Sequence, residues 1–238
     1  MSLIQNFIKQ QRKELISLFN GDSLELLKEM QDDYVDYVFT SPPYNIGRNR
    51  STLSNQKAKY DDFDDKNPKY FDWCTQIIDE CLRISSKHVF WVVQANYYNK
   101  KDIYRLIGHY ADVLIQNFIW TKSHYVPASE HYAISNAVEY VLAFSNEKRI
   151  KGNEINNLNH IHTTERPPRF KNHAAIMNQE IADHFIGNYT QKGEVILDPF
   201  VGSGTTGISC VKLKRNFIGI DISQGYIDFA RERINEHI

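Results

Sequence analysis

Long apolar runs, paired cysteines and an excess of one charge are all missing from this chain of 238 residues. No stretch approaches the ~18 consecutive apolar residues of a membrane span. The opening MSLIQNFIKQQRKELISLF mixes charge into its apolar residues too early for a secretory signal, so the expected setting is cytoplasmic, with no membrane partner. The three cysteines, Cys74, Cys81 and Cys210, are odd in number and lack C-x-x-C spacing, which argues against a disulfide framework and a zinc site and predicts reduced, partly buried thiols. Lys plus Arg (28) nearly balance Asp plus Glu (29), for a net charge of -1, so any site for a polyanion must be local. There is no internal repeat and no low-complexity tract. The length suits one large domain that buries roughly 70 to 75% of its unfolded surface.

What is present is an alternation of two periods. ELISLFNGD, VDYVFT, HVFWVVQ, VLIQNFIW, AVEYVLAFS, EVILD and NFIGID read as strands. SLELLKEM, FDWCTQIIDECLRISS, KDIYRLIGHYA, QEIADHFIGNY, TTGISCVKLK and QGYIDFARERI read as helices between or after them. HVFWVVQ is continuously apolar, as a buried parallel strand should be. Strands alternating with helices predict an α/β fold with a doubly wound, mostly parallel sheet of seven strands. Two polar, irregular segments interrupt the pattern at about 46–70 and 146–172. The first holds Arg48, Arg50, Lys57, Lys59 and the run DDFDD, the second Lys148, Arg149, Lys151, Arg166 and Arg169. Loops this long in a compact domain are usually functional or disordered. His160-x-His162, within the second, reads as exposed loop, and no metal site is assigned.

Two motifs stand at strand ends. TSPPYN, residues 40–45, follows VDYVF; proline lacks an amide proton, so the ladder must stop here, and the residue before each proline is held extended. By itself this reads as a rigid loop cap rather than a site. GEVILDPFVGSGTTG, residues 193–207, sets Gly202-x-Gly204-x-x-Gly207 between a strand and a helix, with Asp221 at the end of the next strand, where a carboxylate can accept from ribose hydroxyls. A tight helix-packing turn is the plain alternative. Asp198-Pro199-Phe200 intervenes before the glycines, unlike the dinucleotide form, and no lysine follows as a triphosphate loop requires. Only 17 residues follow Asp221, so the remaining strands must come from the amino-terminal part and the chain order looks permuted.

TSPPYN, followed much later by DPFVGSGTT and GID, resembles the beta group of S-adenosylmethionine-dependent DNA amino-methyltransferases, whose catalytic motif precedes the cofactor motif. NGDSLELL, FWVVQ, FIWTK, VEYVLAFS, KNHAAI and RNFIGIDISQGYIDFARERI match the same pattern in order, so the resemblance spans nearly the whole chain as a single methyltransferase domain over 1–238. It implies that Asp198, Phe200, Gly202, Gly204 and Thr205 line the pocket for the methionine half of S-adenosyl-L-methionine, that Asp221 holds the ribose, and that Asp22 accepts from the adenine amino group. His173 falls where the family also approaches the cofactor, although AAIMNQ follows it where many relatives have a proline–phenylalanine pair. A protein-glutamine methylating enzyme fits less well, because such relatives place the cofactor motif before N-P-P-Y. A NAD-dependent oxidoreductase and a catalytically silent DNA-binding module are the readings from other classes.

The chemistry agrees with that resemblance. An exocyclic amine is a poor nucleophile because its lone pair is conjugated with the ring; acceptors against its N–H bonds favour pyramidalisation and stabilise the developing positive nitrogen. The Ser41 oxygen and the Pro42 carbonyl are two such acceptors, Pro42 and Pro43 preorganise them, and Tyr44 can stack on an extruded base. Among relatives, Ser before the prolines is commoner in enzymes making N4-methylcytosine and Asp or Asn in those making N6-methyladenine, so Ser41 favours cytosine with adenine as the alternative. Double-stranded DNA is the implied partner, contacted by Lys and Arg of the two irregular segments. A homodimer and a cognate restriction endonuclease are further candidate partners.

Overall fold

Segments rich in Val, Ile, Phe and Tyr form a sheet that is apolar on both faces, as a sheet covered on each side requires. A computed structural model describes residues 16–45, 67–125, 135–145, 147, 149–153, 158–168 and 176–238. Among them are the strands β1 (Ile16–Asn20), β2 (Val35–Thr40), β3 (Ser85–Val93), β4 (Leu114–Lys122), β5 (Val138–Phe144), β6 (His160–Thr163), β7 (Val195–Asp198) and β8 (Asn216–Asp221). The helices are α1 (Ser23–Lys28), α2 (Tyr70–Ile84), α3 (Lys100–His109), α4 (Gln179–Tyr189), α5 (Thr205–Lys212) and α6 (Gln224–Asn235).

The strands form one sheet in the order β1-β8-β7-β2-β3-β5-β4-β6. Only β5 runs against the others, pairing antiparallel with β3 and β4, while every other pairing is parallel. The doubly wound, mostly parallel sheet is as expected, with one strand more than the seven read from the sequence. The eighth is β6, an edge strand inside the segment assigned to irregular loop. His160 and His162 are exposed, as expected, while Ile161 and Thr163 point inward, and the Trp120 indole N–H donates to Thr163 Oγ1 at 2.9 Å. A period of two over only four residues, half of them histidine, is too short to show against a polar background. Tyr70, set at the end of the first irregular segment, is instead the fully buried first residue of α2.

The two faces divide the core. α1, α2 and α3 set Leu27, Ile77, Ile78, Ile103 and Leu106 against Val38, Val89, Trp91 and Val93. α4, α5 and α6 set Ile181, Phe185, Ile208, Ile227 and Ala230 against Phe39, Phe90 and Val92. Alternate residues of β2 and β3 thus enter opposite clusters, and each fully buried large side chain contributes roughly 1.5–3 kcal/mol. Cys74, Cys81 and Cys210 are free and fully rather than partly buried, and burial pushes their thiols well above the ordinary range. Among the described residues, no helix is long and apolar enough to cross a membrane.

The permuted order has a direct structural result. β8 and β7, last in sequence, lie between β1 and β2, which are first. The glycine-rich turn after β7 therefore opens beside the Ser-Pro-Pro-Tyr turn after β2, both at the carboxyl edge of parallel strands, where sheets of this kind bind ligands.

Candidate active site

The glycine-rich turn is shaped by backbone conformations that exclude side chains. Gly202 and Gly204 have φ of 47° and 79°, and Gly204 occupies the N-cap of α5 in the left-handed region. A Cβ on Gly204 would meet Ala230 of α6 at 3.1 Å. Gly207 is required by packing: a Cβ there would come within 2.4 Å of Ile234 Cδ1. Asp221 joins this turn to the end of β8, its Oδ2 accepting from Gly202 N at 3.0 Å and its Oδ1 from Ser223 N at 2.9 Å. Burial raises the Asp221 carboxyl, against those two amide bonds that lower it. Asp22 is exposed at the end of β1 and caps α1, accepting from Glu25 N at 3.1 Å. Gly21 N donates to the Asp221 carbonyl at 3.0 Å, and Ser23 Oγ donates to the Pro199 carbonyl, so the two loops are tied together. Phe200 is half-buried against Trp73 and Trp91, with ring centroids 5.4 and 6.4 Å away.

Asp198 sits beneath the turn at 3% exposure. Its Oδ1 accepts from Thr40 Oγ1 at 2.7 Å and from Phe200 N at 3.1 Å, and its Oδ2 from Thr206 Oγ1 at 2.7 Å. Desolvation pushes its carboxyl up to about 6, the three hydrogen bonds opposing that rise. The Thr40 bond crosses from β2 to β7 and fixes the two motif turns relative to each other. Thr205 is buried next to Ser203, with the hydroxyls 3.2 Å apart.

The second turn is held by side chains from distant parts of the chain. Pro42 is buried, and Ser41, Pro43 and Tyr44 are half-buried. The Pro43 carbonyl accepts from Tyr70 OH at 2.7 Å, and the Tyr44 carbonyl accepts from Asn99 Nδ2 at 2.6 Å. Asn45, at φ 54°, exchanges bonds with the backbone of Asn67, at 3.1 Å to its carbonyl and 2.8 Å from its amide. Ser41 Oγ lies 3.0 Å from Tyr44 OH, and Tyr44 OH donates to Glu139 Oε2 at 2.8 Å. Glu139 is 7% exposed on β5 and is ion-paired through Oε1 with Lys122 at the end of β4.

Asp22, Phe200, Gly202, Gly204, Thr205 and Asp221 thus gather on the adjoining ends of β1, β8 and β7, next to Ser41–Tyr44 in the turn after β2. Asp198 anchors the turn from below. His173 lies outside the described residues, as do Arg48, Arg50, Lys57, Lys59, Lys148 and Arg169. Arg149, Lys151 and Arg166 are exposed. Lys151 is near Asn153, which bonds the carbonyls of Gly187 and Thr190 at the carboxyl end of α4, away from the motif edge. Glu165, beside Arg166, accepts from Asn178 Nδ2 at 2.8 Å at the amino end of α4, on the motif edge. The reading from sequence missed Tyr70, Asn99, Lys122 and Glu139. Glu139 had a signal: it is the one charge within the apolar run AVEYVLAFS.

A glycine turn that lets backbone approach a ligand, a carboxylate at the neighbouring strand end and half-buried aromatic walls suit a cofactor with a ribose and an amino acid moiety. The DNA methylase family of the N6/N4 type matches residues 35–232. The type II methyltransferase M.BglII of Bacillus subtilis is 25% identical over 92% of this chain and 69% of its own length. Among solved structures, the cytosine-N4-specific PvuII DNA methyltransferase superposes with a TM-score of 0.72, covering 93% of this chain and 90% of that one at 19% identity. The complex of M1.HpyAVI with SAM superposes at 0.65, covering 92% of this chain and 99% of that one at 23% identity. With the family match spanning both motif turns and the strands that carry them, the chain belongs to the DNA methylase family of the N6/N4 type and is a DNA amino-methyltransferase.

Proposed function

We propose that this single domain moves the methyl group of S-adenosylmethionine to the exocyclic amine of a base swung out of double-stranded DNA, with N4 of cytosine as the target. The observation that carries the reading is the juxtaposition of Ser41-Pro42 with the glycine turn, fixed by the buried Thr40–Asp198 hydrogen bond. S-adenosylmethionine supplies an electrophilic sulfonium methyl. Asp221 accepts from the ribose and Asp22 from the adenine amino group; Gly202 and Gly204 admit the methionine half against Phe200. Ser41 Oγ and the Pro42 carbonyl accept hydrogen bonds from the two amine N–H groups, drawing the nitrogen lone pair out of conjugation and stabilising the charge that develops on it. Tyr44 offers its ring to the extruded base. Proton loss follows transfer, so Ser41 need not be a strong base.

Phosphate contacts are assigned to Lys and Arg of about 46–70 and, in 146–172, to the part near Arg166 on the motif edge rather than to Lys151. The type II name of the relative M.BglII supports a restriction endonuclease of matching specificity as a functional partner. Nucleoside analysis of DNA methylated in vitro tests the base. N4-methylcytosine is expected, and N6-methyladenine alone would show that Ser41 does not determine the target.

A further inference from the structure

Glu139 and Lys122 form an ion pair with side-chain exposures of only 10% and 17%, and Lys122 also lies over the Trp120 ring at 4.9 Å. Buried pairs of this kind are weak contributors to stability, since apolar residues of similar volume often do as well. What this pair touches is the motif turn: Glu139 Oε2 accepts from Tyr44 OH at 2.8 Å, and Tyr44 OH lies 3.0 Å from Ser41 Oγ. Each hydroxyl carries one proton, and a carboxylate only accepts. With the Tyr44 proton committed to Glu139, the Ser41–Tyr44 bond has one polarity left: Ser41 donates and Tyr44 accepts. The Ser41 proton then points away from the amine, and its lone pairs remain to receive an N–H bond.

We infer that Glu139, held by Lys122, is a positioning residue that sets the polarity of the Ser41–Tyr44 hydrogen bond so that Ser41 faces the target amine as an acceptor. The inference rests on the reading of Ser41 as an amine acceptor. The role of Lys122 is to keep the Glu139 carboxylate aligned. It also dictates what an amide in its place would do. In Glu139→Gln, Lys122 takes the amide oxygen and leaves the NH2 group facing Tyr44. Tyr44 must then accept from Gln and donate to Ser41, and the Ser41 proton turns toward the amine it should receive from.

The test is single-turnover transfer of tritiated methyl from S-adenosylmethionine to a randomised-sequence duplex library, with enzyme in excess. Cofactor affinity and melting temperature are measured on every variant. Glu139→Gln is expected to slow transfer by about tenfold to a hundredfold, the range of a charge-assisted hydrogen bond. Tyr44→Phe keeps the ring and frees the Ser41 hydroxyl to rotate, so its loss is smaller. The distinctive expectation is rescue: Glu139→Gln combined with Tyr44→Phe regains the rate of Tyr44→Phe alone. A double variant as slow as Glu139→Gln, or slower, overturns the inference. Where Glu139→Gln does not fold, Tyr44→Phe decides: it should lower the rate about threefold or more with Ser41 present and less than about twofold in Ser41→Ala, and equal loss in both backgrounds overturns the inference. Ser41→Ala at full rate would instead sink the acceptor reading beneath it; a slow Ser41→Ala with no rescue leaves that reading standing and removes only the assignment to Glu139.

Discussion

The two turns at the carboxyl edge of the sheet are held by different means. The glycine turn takes its shape from its own motif: two positive-φ glycines, an N-cap and carboxylates bound to backbone amides set it at the ends of β7 and β8, while Ser23 and Thr40 tie it to the neighbouring strand ends. The Ser-Pro-Pro-Tyr turn is fixed from afar, by Tyr70 on α2, Asn99 before α3 and Glu139 on β5. Glu139 is 95 residues from the tyrosine it binds. A cofactor common to many reactions suits a cradle written in one short motif. A reacting amine needs acceptors aimed along defined directions, and aim is supplied by packed neighbours.

The sharpest way to separate the two turns is Ser41→Ala. Methyl transfer should fall by roughly a hundredfold or more, as for loss of one preorganised catalytic hydrogen bond, with cofactor affinity kept; stopped single turnovers beside calorimetry would measure both. Gly204→Ala attacks the other turn. It places a side chain at φ 79° and 3.1 Å from Ala230, so stability should drop by about 1–3 kcal/mol, read by urea denaturation, and cofactor affinity should fall with it. Asn99→Ala removes the donor to the Tyr44 and Gln94 carbonyls. It should cost about 1–2 kcal/mol and, on the proposed division of roles, slow transfer more than it weakens cofactor binding, because the bonds it breaks hold the Ser-Pro-Pro-Tyr turn.

The smallest effect concerns Asp198, which links the turns. Its carboxyl is raised from 3.8 to about 6 by burial, so the folded state holds its proton more tightly than the unfolded state. The stability this lends is complete below about pH 4 and lost as pH rises through about 6. Asp198→Asn has no such proton, so the difference in melting temperature between wild type and variant should change across that window and be constant above it.

The contrast also explains what was legible in the sequence. DPFVGSGTTG and the acid after it announce a ligand turn because glycines at fixed offsets and a strand-end carboxylate are local requirements, and the permuted chain order follows from how few residues remain after Asp221, while the order of strands in the sheet came only with the structure. SPPYN announces a rigid strand end, and its partners are silent: Tyr70 and Asn99 look like ordinary residues at helix starts, and Lys122 looks like a strand terminus. Only Glu139, a carboxylate facing inward in an apolar strand, breaks the local pattern enough to be found. β6 escaped because four residues of alternation with two exposed histidines carry little signal.

The measurement that tests the division between the turns most directly is cofactor affinity beside single-turnover rate in Asp221→Ala and Tyr44→Ala. Asp221→Ala should weaken S-adenosylmethionine binding by about tenfold or more, since it removes the proposed ribose acceptor and frees the Gly202 amide. Tyr44→Ala should leave that affinity within about threefold and still slow transfer by about tenfold or more, since stacking of a base on an aromatic ring is worth ~1–3 kcal/mol. Equal loss of cofactor affinity in the two variants would contradict the account.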